Sequence, residues 1–300
     1  MLVCFDIGGS EIKAGLAASS TEMRPLGAVA TPSTDYVEFL ARIIHLAAQP
    51  DAAAISISIT GVFNAENGIL KCANIPCADG QRIVHDLHRA THLPVFIFND
   101  ANCFALAEAL AGAGLGHDNV LAIVLGSGVG GAQVLAGRVI EGAGGMAGEW
   151  GHGTILATSF GQPPRDLAHL PCGCGRLGCV NTIGGARGLE ALHLLLHGRV
   201  ATSLEILSRR GRDDTAAETV AAYMELVAQP LAYAVNITGA SLLVAGGGLA
   251  HDHGFIAILD TQVRRRILRT AREPLIVPAR HAQAGLAGAA IAGFQALADG

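Results

Sequence analysis

Short apolar blocks that end in glycine-rich turns recur along the chain, separated by longer blocks with helical spacing. LVCFDIGGSEIKAGLAAS, residues 2–19, predicts a strand, a tight glycine turn and a second strand. The same pattern returns at residues 120–138, and a third apolar strand at residues 241–250 also ends in glycines. Two copies of one strand–turn–strand unit predict two similar lobes that face each other.

The remaining apolar positions separate into helical and strand-like spacing. The predicted helices are residues 35–48, 216–238 and 282–298, with a further helix that follows Asp100 and ends at Gly112 or Gly114. Strands are predicted at residues 53–60 and 93–100. Pro230 is expected to kink the helix that contains it, because proline lacks the backbone N–H that a helix interior needs.

The order of these elements predicts the fold class. Strands that alternate with helices indicate an α/β protein. The N-terminal lobe is predicted over residues 1–117 and the C-terminal lobe over residues 118–300. The last helix could pack back on the first lobe.

Composition and charge exclude several classes of function. Of the 300 residues, 51% are hydrophobic, 15% are charged and 39 are glycine, a balance typical of a globular α/β protein. The net charge is −5 and the one basic block is Arg264–Arg266, which argues against a nucleic-acid or anionic-membrane partner. Glycines and polar residues interrupt the long uncharged stretches, and no signal peptide is visible, so we expect a cytoplasmic protein with reduced cysteines.

The glycine turns are candidate phosphate sites, because glycine lets the backbone approach a phosphate and consecutive N–H groups can converge on its oxygens. Neither turn matches a P-loop or a dinucleotide fingerprint, and either turn alone is weak evidence, better explained as a tight hairpin. Two such turns and a third glycine run together predict a site for the phosphates and adenosine of one nucleotide. The residues concerned are Gly8, Gly9, Ser10, Gly126, Ser127, Gly128, Gly130, Gly131, Gly247 and Gly248.

Two aspartates at strand ends are candidates for chemistry. Asp6 lies just before the first turn, where it would either hold a hydrated Mg²⁺ or simply initiate the turn. Asp100 lies between a strand and a helix, where the alternatives are a helix N-cap and a general base at the carboxyl edge of a sheet. Asn99 beside it is predicted to hydrogen-bond a hydroxyl of the same substrate.

Three cysteines lie close together in PCGCGRLGCVNT, residues 171–182. The spacing of Cys172, Cys174 and Cys179 indicates one shared centre, and zinc commonly takes three cysteines and one histidine. His169, His152 and more remote histidines are candidates for the fourth ligand, although His169, three residues before Cys172, would strain a tight loop. A redox or buried-thiol cluster is the alternative.

These motifs together resemble the ROK family of bacterial sugar kinases and sugar-responsive repressors. FDIGGSEIKAGL, NDANCFALAEA, LGSGVGGA, GEWGH and CGCGRLGC follow the family order, and the resemblance extends from residue 3 to about residue 292. Within the family, CANIP and ARHAQAGLAGAA are most similar to the N-acetyl-D-glucosamine kinases. The resemblance implies a two-lobed actin-like ATPase (ribonuclease H-like) fold with the active site in the cleft.

The implied activity is ATP-dependent phosphorylation of the 6-hydroxyl of N-acetyl-D-glucosamine, or of another hexose such as N-acetylmannosamine or glucose. Asp100 would be the base, ATP and Mg²⁺ the cofactors, and a homodimer the assembly. The implied sugar contacts are Gly61, Asn74, Asn99, Asp100, Glu149, His152 and Asn181. The implied ligands of a structural Zn²⁺ are His152, Cys172, Cys174 and Cys179.

Two positions depart from the family pattern. Glu11 stands where lysine is usual, and Lys13 on the same strand face is the candidate to replace the missing charge of the nucleotide site. Asn181 stands where the sugar kinases mostly have glutamate, and losing a charge-assisted hydrogen bond is expected to weaken sugar binding roughly tenfold to a hundredfold. A sugar sensor without kinase activity is therefore an alternative. A repressor is not expected, since the first strand starts at residue 2 and leaves no room for a DNA-binding domain.

Overall fold

The computed structural model describes residues 1–271 and 273–299. The strands are β1 (Leu2–Ile7), β2 (Glu11–Ala17), β3 (Met23–Ala30), β4 (Ala54–Ile59), β5 (Val62–Asn64), β6 (Ile69–Lys71), β7 (Val95–Asn99), β8 (Asn119–Leu125), β9 (Val129–Leu135), β10 (Arg138–Val139), β11 (Ser159–Phe160), β12 (Arg165–Asp166), β13 (Leu242–Gly246) and β14 (Ile276–Pro278). The helices are α1 (Tyr36–Ala47), α2 (Ile83–Thr91), α3 (Asp100–Ala111), α4 (Asn181–Gly184), α5 (Ala186–His197), α6 (Ser203–Arg209), α7 (Asp214–Thr238), α8 (His253–Arg264) and α9 (Ala284–Asp299). The predicted α/β class is confirmed.

The chain divides into two compact units. The first unit consists of Met1–Leu115, Gly137–Ala147 and His281–Gly300, and the second of Gly116–Ala136 and Gly148–Arg280. A single division after residue 117 does not describe these units, because the chain returns to the first unit twice. The segment after β9 and the last helix both belong there, and contacts between residues distant in sequence, which no local pattern reports, decide this.

In the first unit the carboxyl ends of three parallel strands lie side by side. The sheet order is β3–β2–β1–β4–β7, in which β1, β4 and β7 are parallel. Ile7 pairs with Ile59, and Ile59 pairs with Asn99, so the three strands end at the same edge. Ligands of α/β folds bind at such edges.

Strand β4 shows how its sequence AISISI positions this sheet between two layers of helices. Ile55, Ile57 and Ile59 are fully or almost fully buried in the cluster that includes residues of α1 and α2. The serines face the opposite side, where the Ser56 hydroxyl donates to the Ala289 carbonyl of α9 at 2.6 Å. Small residues on this face let α9 approach closely, which holds β1 and β4 rigidly in place.

In the second unit, β8 pairs antiparallel with β9 and parallel with β13, which in turn pairs parallel with β14. Helix α7 runs as one element through Pro230. The fully buried Tyr223 on α7 packs against Phe255 with ring centroids 5.1 Å apart, and its hydroxyl donates to the carbonyl of Gly184. This bond fixes α4, which begins two residues after Cys179.

Among the described residues, none of the helices combines the length and the apolar character that crossing a lipid bilayer requires.

Candidate active site and metal centre

The carboxyl edge of β1, β4 and β7 brings together the predicted polar residues of the first unit. The Ser58 hydroxyl donates to Asp6 Oδ1 at 3.3 Å, and Asn99 Nδ2 donates to the Gly61 carbonyl at 2.7 Å. Asn74 reaches the same edge, where its Nδ2 donates to the Thr60 hydroxyl at 3.1 Å. The structure therefore gathers Asp6, Gly61, Asn74, Asn99 and Asp100 at one edge of the sheet.

Asp100 is the first residue of α3, and its neighbour Asn99 is the N-cap. Asn99 Oδ1 accepts hydrogen bonds from the backbone N–H groups of Ala101 at 2.8 Å and Asn102 at 3.4 Å. Of the two interpretations open for Asp100, the capping role therefore falls to Asn99. Asp100 is exposed, and the positive end of the helix stabilises negative charge at this position. An exposed carboxylate at a sheet edge can accept a proton from a bound hydroxyl.

The first glycine turn lies against Asn74. The Gly8 N–H donates to the Glu11 carbonyl at 2.9 Å, which closes the turn that includes Gly9 and Ser10. A Cβ atom on Gly9 would lie 2.9 Å from the Asn74 carbonyl oxygen, closer than van der Waals contact allows. Only glycine fits at this position, so the sequence GGS allows the turn to pack directly on the segment that carries Asn74.

Asp6 is mostly buried, and its charge interacts with those of Glu11 and Lys13, the two residues of the first departure from the family pattern. Burial raises the pKa of Asp6, and the charge of Lys13 and the Ser58 hydrogen bond oppose this effect. Lys13 faces Asp6 across the β1–β2 pair, and its Nζ lies 3.6 Å from Glu11 Oε2. The Lys13 ammonium group therefore interacts with the carboxylates of both Asp6 and Glu11.

In the second unit, the two predicted glycine segments are adjacent. A Cβ atom on Gly247, just after β13, would lie 2.5 Å from the Leu125 carbonyl carbon at the end of β8. The carbonyls of Gly126 and Ser127 accept hydrogen bonds from the backbone N–H groups that open α5, at 2.8 and 3.3 Å. The turn between β8 and β9 thus lies beside Gly247 and Gly248, and its carbonyls occupy the first two N–H groups of α5.

Four metal-ligating side chains converge in the second unit. The donor atoms of His152, Cys172, Cys174 and Cys179 all lie within 4.8 Å of one another. His152 Nδ1 is 3.7 Å from Cys172 Sγ, and Cys174 Sγ is 3.7 Å from Cys179 Sγ. Tetrahedral zinc with bonds of about 2.3 Å to sulfur and about 2.0–2.1 Å to nitrogen requires neighbouring donors about 3.6–3.8 Å apart. The residues fit a zinc ion.

The structure also decides between the two candidate histidines. His152 ends a short 3₁₀ turn at Trp150–His152, and this turn carries its imidazole to the cysteines. His169 packs instead against the backbone of Gly178, where a Cβ atom would lie 2.6 Å from the imidazole Cγ. Sequence spacing had counted against His169, because a ligand three residues before Cys172 would strain a tight loop, and the family resemblance had implied His152.

The thiols of Cys174 and Cys179 differ in pKa. A hydrogen bond from the Arg176 backbone, with further contacts from Cys172, Cys179 and His152, lowers the pKa of Cys174 to about 6. Burial raises the pKa of Cys179 to about 11. Metal binding requires deprotonated thiols, and Cys174 ionises more readily than Cys179, whose ionisation a bound cation would favour.

His152 connects the cysteine cluster to Glu149. Its Nδ1 faces Cys172, while its Nε2 lies 3.6 Å from Glu149 Oε2. A ligand bond at Nδ1 would leave the proton on Nε2, which then faces away from the cluster as a donor. Glu149 and His152 thus present an acceptor and a donor side by side, both partly exposed.

Sequence reasoning missed what Asn181 and Trp150 bind within the protein. Asn181 Oδ1 accepts a hydrogen bond from the Val129 N–H at 2.9 Å, and its Nδ2 approaches Cys172 Sγ at 3.9 Å. Trp150, the only tryptophan of the chain, donates from Nε1 to the Gly130 carbonyl at 2.8 Å. Beyond these two contacts, the Asn181 amide can still donate one hydrogen bond and accept one. A sugar contact by Asn181 is therefore compatible with the structure and stays a prediction.

Comparison with known proteins agrees with the motifs. The model of the ROK family matches residues 2–295. The chain belongs to the ROK family. It is 34% identical over 287 residues to the N-acetyl-D-glucosamine kinase of Pectobacterium atrosepticum, with 94% of each chain covered.

Two solved structures extend this comparison. The ROK hexokinase of Thermus thermophilus superimposes with a TM-score of 0.86 at 30% identity, covering 100% of this chain and 99% of that one. A ROK family glucokinase of Streptomyces griseus, solved in complex with glucose and AMPPNP, superimposes with a TM-score of 0.74 at 25% identity, covering 98% and 99%. The resemblance to the ROK family is therefore confirmed, together with the fold class that it implied.

Proposed function

We propose that the protein transfers the γ-phosphoryl group of ATP to the 6-hydroxyl of N-acetyl-D-glucosamine. The observation that carries the proposal is the position of Asp100, an exposed carboxylate at the carboxyl edge of β7 whose helix is capped by Asn99. The N-acetyl-D-glucosamine kinase of Pectobacterium atrosepticum, at 34% identity, supports the choice of sugar.

Asp100 acts as the general base. Its carboxylate accepts the proton of the attacking hydroxyl, a contribution of roughly 10²–10⁴-fold to the rate. Asn99 directs its Nδ2 to Gly61, which holds the strand end and the segment after β4 together under the sugar. Asn74 supports the same edge through Thr60.

The glycine turns bind the nucleotide. Backbone N–H groups of the turns at Gly8–Ser10 and Gly126–Gly131 bind phosphate oxygens, and Gly247 and Gly248 border the adenosine. Phosphoryl transfer depends mainly on in-line positioning and charge neutralisation. A hydrated Mg²⁺ supplies the second when it is bound, and Asp6 is the carboxylate that fits it, with Lys13 beside it.

Glu149 and His152 bind sugar hydroxyls through an acceptor and a donor, and Asn181 offers its remaining amide positions. Zinc at His152, Cys172, Cys174 and Cys179 is structural, since four protein donors complete a tetrahedral shell. By analogy with the family, we propose a cytoplasmic homodimer.

A coupled assay of ATP consumption across a panel of hexoses, with zinc-replete protein, tests this function. We expect the highest kcat/KM with N-acetyl-D-glucosamine and a 6-phosphate product by mass spectrometry. Turnover with none of the sugars would refute the kinase proposal, and sugar binding without turnover would identify a sensor.

A kinase for another hexose is the second candidate. Two observations favour it: Asn181 stands where glutamate is usual, and the Thermus thermophilus hexokinase is similar at 30% identity. A higher kcat/KM with glucose or N-acetylmannosamine than with N-acetyl-D-glucosamine would support this candidate.

A further inference from the structure

We infer that Asn181 is a positioning residue that couples the metal centre to the glycine turn between β8 and β9. Its side-chain amide contacts both structures at once. Oδ1 accepts from the Val129 N–H at 2.9 Å, where the turn enters β9, and Nδ2 donates towards Cys172 Sγ at 3.9 Å. The amide oxygen thus faces a hydrogen-bond donor, and the amide nitrogen faces an acceptor.

The packing around Asn181 restrains it in this position. A Cβ atom on Gly128 would lie 2.3 Å from Asn181 Oδ1, so glycine in the turn is what makes room for the amide oxygen. The backbone that carries Asn181 is also held, because the Thr182 hydroxyl donates to the Cys179 carbonyl at 2.8 Å. The Asn181 side chain is therefore held in position by its packing against the turn and by the backbone of its own segment.

The chemistry of the two contacts explains why an amide suits this position. A metal-bound Cys172 is a thiolate, and an N–H group directed at it stabilises its negative charge. A carboxylate could still accept from the Val129 N–H, but its second oxygen would face the thiolate as a like charge. Hydrogen-bond partners of metal ligands typically change metal affinity by about 10–100-fold when they are removed.

A second contact of the same kind makes the coupling stronger. Trp150 is two residues before His152, and its Nε1 donates to the Gly130 carbonyl at 2.8 Å. Two of the four metal-ligating residues, Cys172 and His152, are therefore linked to the β8–β9 hairpin. Because coupling is reciprocal, metal binding orders the turn to the same extent that an ordered turn favours the metal.

Two variants separate the two ends of the amide. Asn181→Asp keeps an oxygen for the Val129 N–H and replaces the donor that faces Cys172, whereas Asn181→Ala removes both contacts. Asn236→Asp is the matched control, because Asn236 Oδ1 accepts from the Leu268 N–H at 3.0 Å in the same unit, and aspartate preserves that bond. Competition with a chelator of known affinity measures the zinc Kd, and amide hydrogen exchange measures the protection of the Val129 N–H.

We expect Asn181→Asp and Asn181→Ala to raise the zinc Kd about 10–100-fold, with no change in Asn236→Asp. Exchange at Val129 should accelerate in Asn181→Ala and stay slow in zinc-loaded Asn181→Asp. Removing zinc from the wild-type protein should accelerate it as well. An unchanged zinc Kd in both Asn181 variants, or unchanged exchange at Val129 after zinc removal, would overturn the inference.

A loss of zinc affinity in Asn236→Asp equal to that in Asn181→Asp would also overturn it, because the effect would then be unspecific. Circular dichroism checks that each variant folds, and if Asn181→Ala does not, Asn181→Asp carries the zinc measurement alone. Neither readout requires ATP, sugar or catalysis. These measurements therefore test the coupling independently of the proposed kinase function.

Discussion

Replacing Asp100 by asparagine removes one negative charge and keeps the shape of the side chain. Helix α3 should still form, because Asn99 is its N-cap and asparagine at position 100 retains an oxygen for the Ala101 N–H, which Asp100 Oδ1 accepts at 2.9 Å. The cost to stability should be limited to the favourable interaction of the charge with the helix N-terminus, about 0.3–1 kcal/mol.

The cost to catalysis should be far larger. Without a base for the hydroxyl proton, kcat should fall roughly 10²–10⁴-fold, which corresponds to about 3–5 kcal/mol in the activation barrier. The sugar Kd should change little, since the hydrogen-bonding shape of the side chain is retained. Steady-state kinetics by the coupled assay and calorimetric titration of the sugar measure the two quantities.

Asp214→Asn is the matched control for this experiment. Asp214 is exposed and is the first residue of α7, directly after an N-cap residue, as Asp100 is in α3. The Asp214→Asn variant should lose a similar amount of stability and keep full activity. A kcat of Asp100→Asn within about threefold of the wild-type value, corresponding to less than about 1 kcal/mol in the barrier, would remove Asp100 from the base role.

Three further predictions concern the metal, pH and stability. Cys174→Ser should abolish binding of about one zinc per chain, measured by elemental analysis, because it removes one of four donors; a variant that retains the metal would contradict the site. Burial and the neighbouring His197 lower the pKa of His193, so the unfolded chain binds a proton more readily than the folded one. Thermal stability should therefore be full above the unfolded pKa of about 6.5 and decrease as the pH falls below it, and His193→Gln should reduce this decrease; an identical pH dependence in the variant would be the contrary result. Asp260→Ala should lower the free energy of unfolding, measured in urea, by about 3–5 kcal/mol. The buried Asp260 carboxylate pairs with Arg264 at 2.8 Å and accepts hydrogen bonds from two backbone N–H groups at 2.7 and 2.9 Å. A loss below about 1 kcal/mol would show that these bonds contribute little to stability.

Elements specified by local patterns were predicted well. The predicted helix at residues 35–48 is α1 (Tyr36–Ala47), and the helix after Asp100 ends at Ala111 with Gly112 as its C-cap. The strand–turn–strand units correspond to β1–β2 and β8–β9. Alternation of apolar residues and the position of glycine depend on neighbours within a few residues, so the sequence reports them directly.

Features that depend on distant contacts were predicted incompletely. The first unit recruits Gly137–Ala147 and α9, and no local pattern distinguishes a helix that packs on its own half of the chain from one that does not. Helix α7 continues through Pro230, and the kink expected there stays a prediction. Pro230 removes one backbone donor, but the buried face of the helix is anchored on both sides of it, by Tyr223 and Val235.

By itself, the sequence determined the α/β class, the glycine turns, the ROK family motifs and the set of possible zinc ligands, because each of these depends on residue type and short spacing. The family motifs also implied His152 as the fourth ligand, and the structure places its imidazole in the cluster. Only the tertiary structure decided that Asn181 joins the cluster to a turn 52 residues earlier. Hydrogen bonds and ligand distances exist only after folding brings such distant residues together, so chain order cannot specify them.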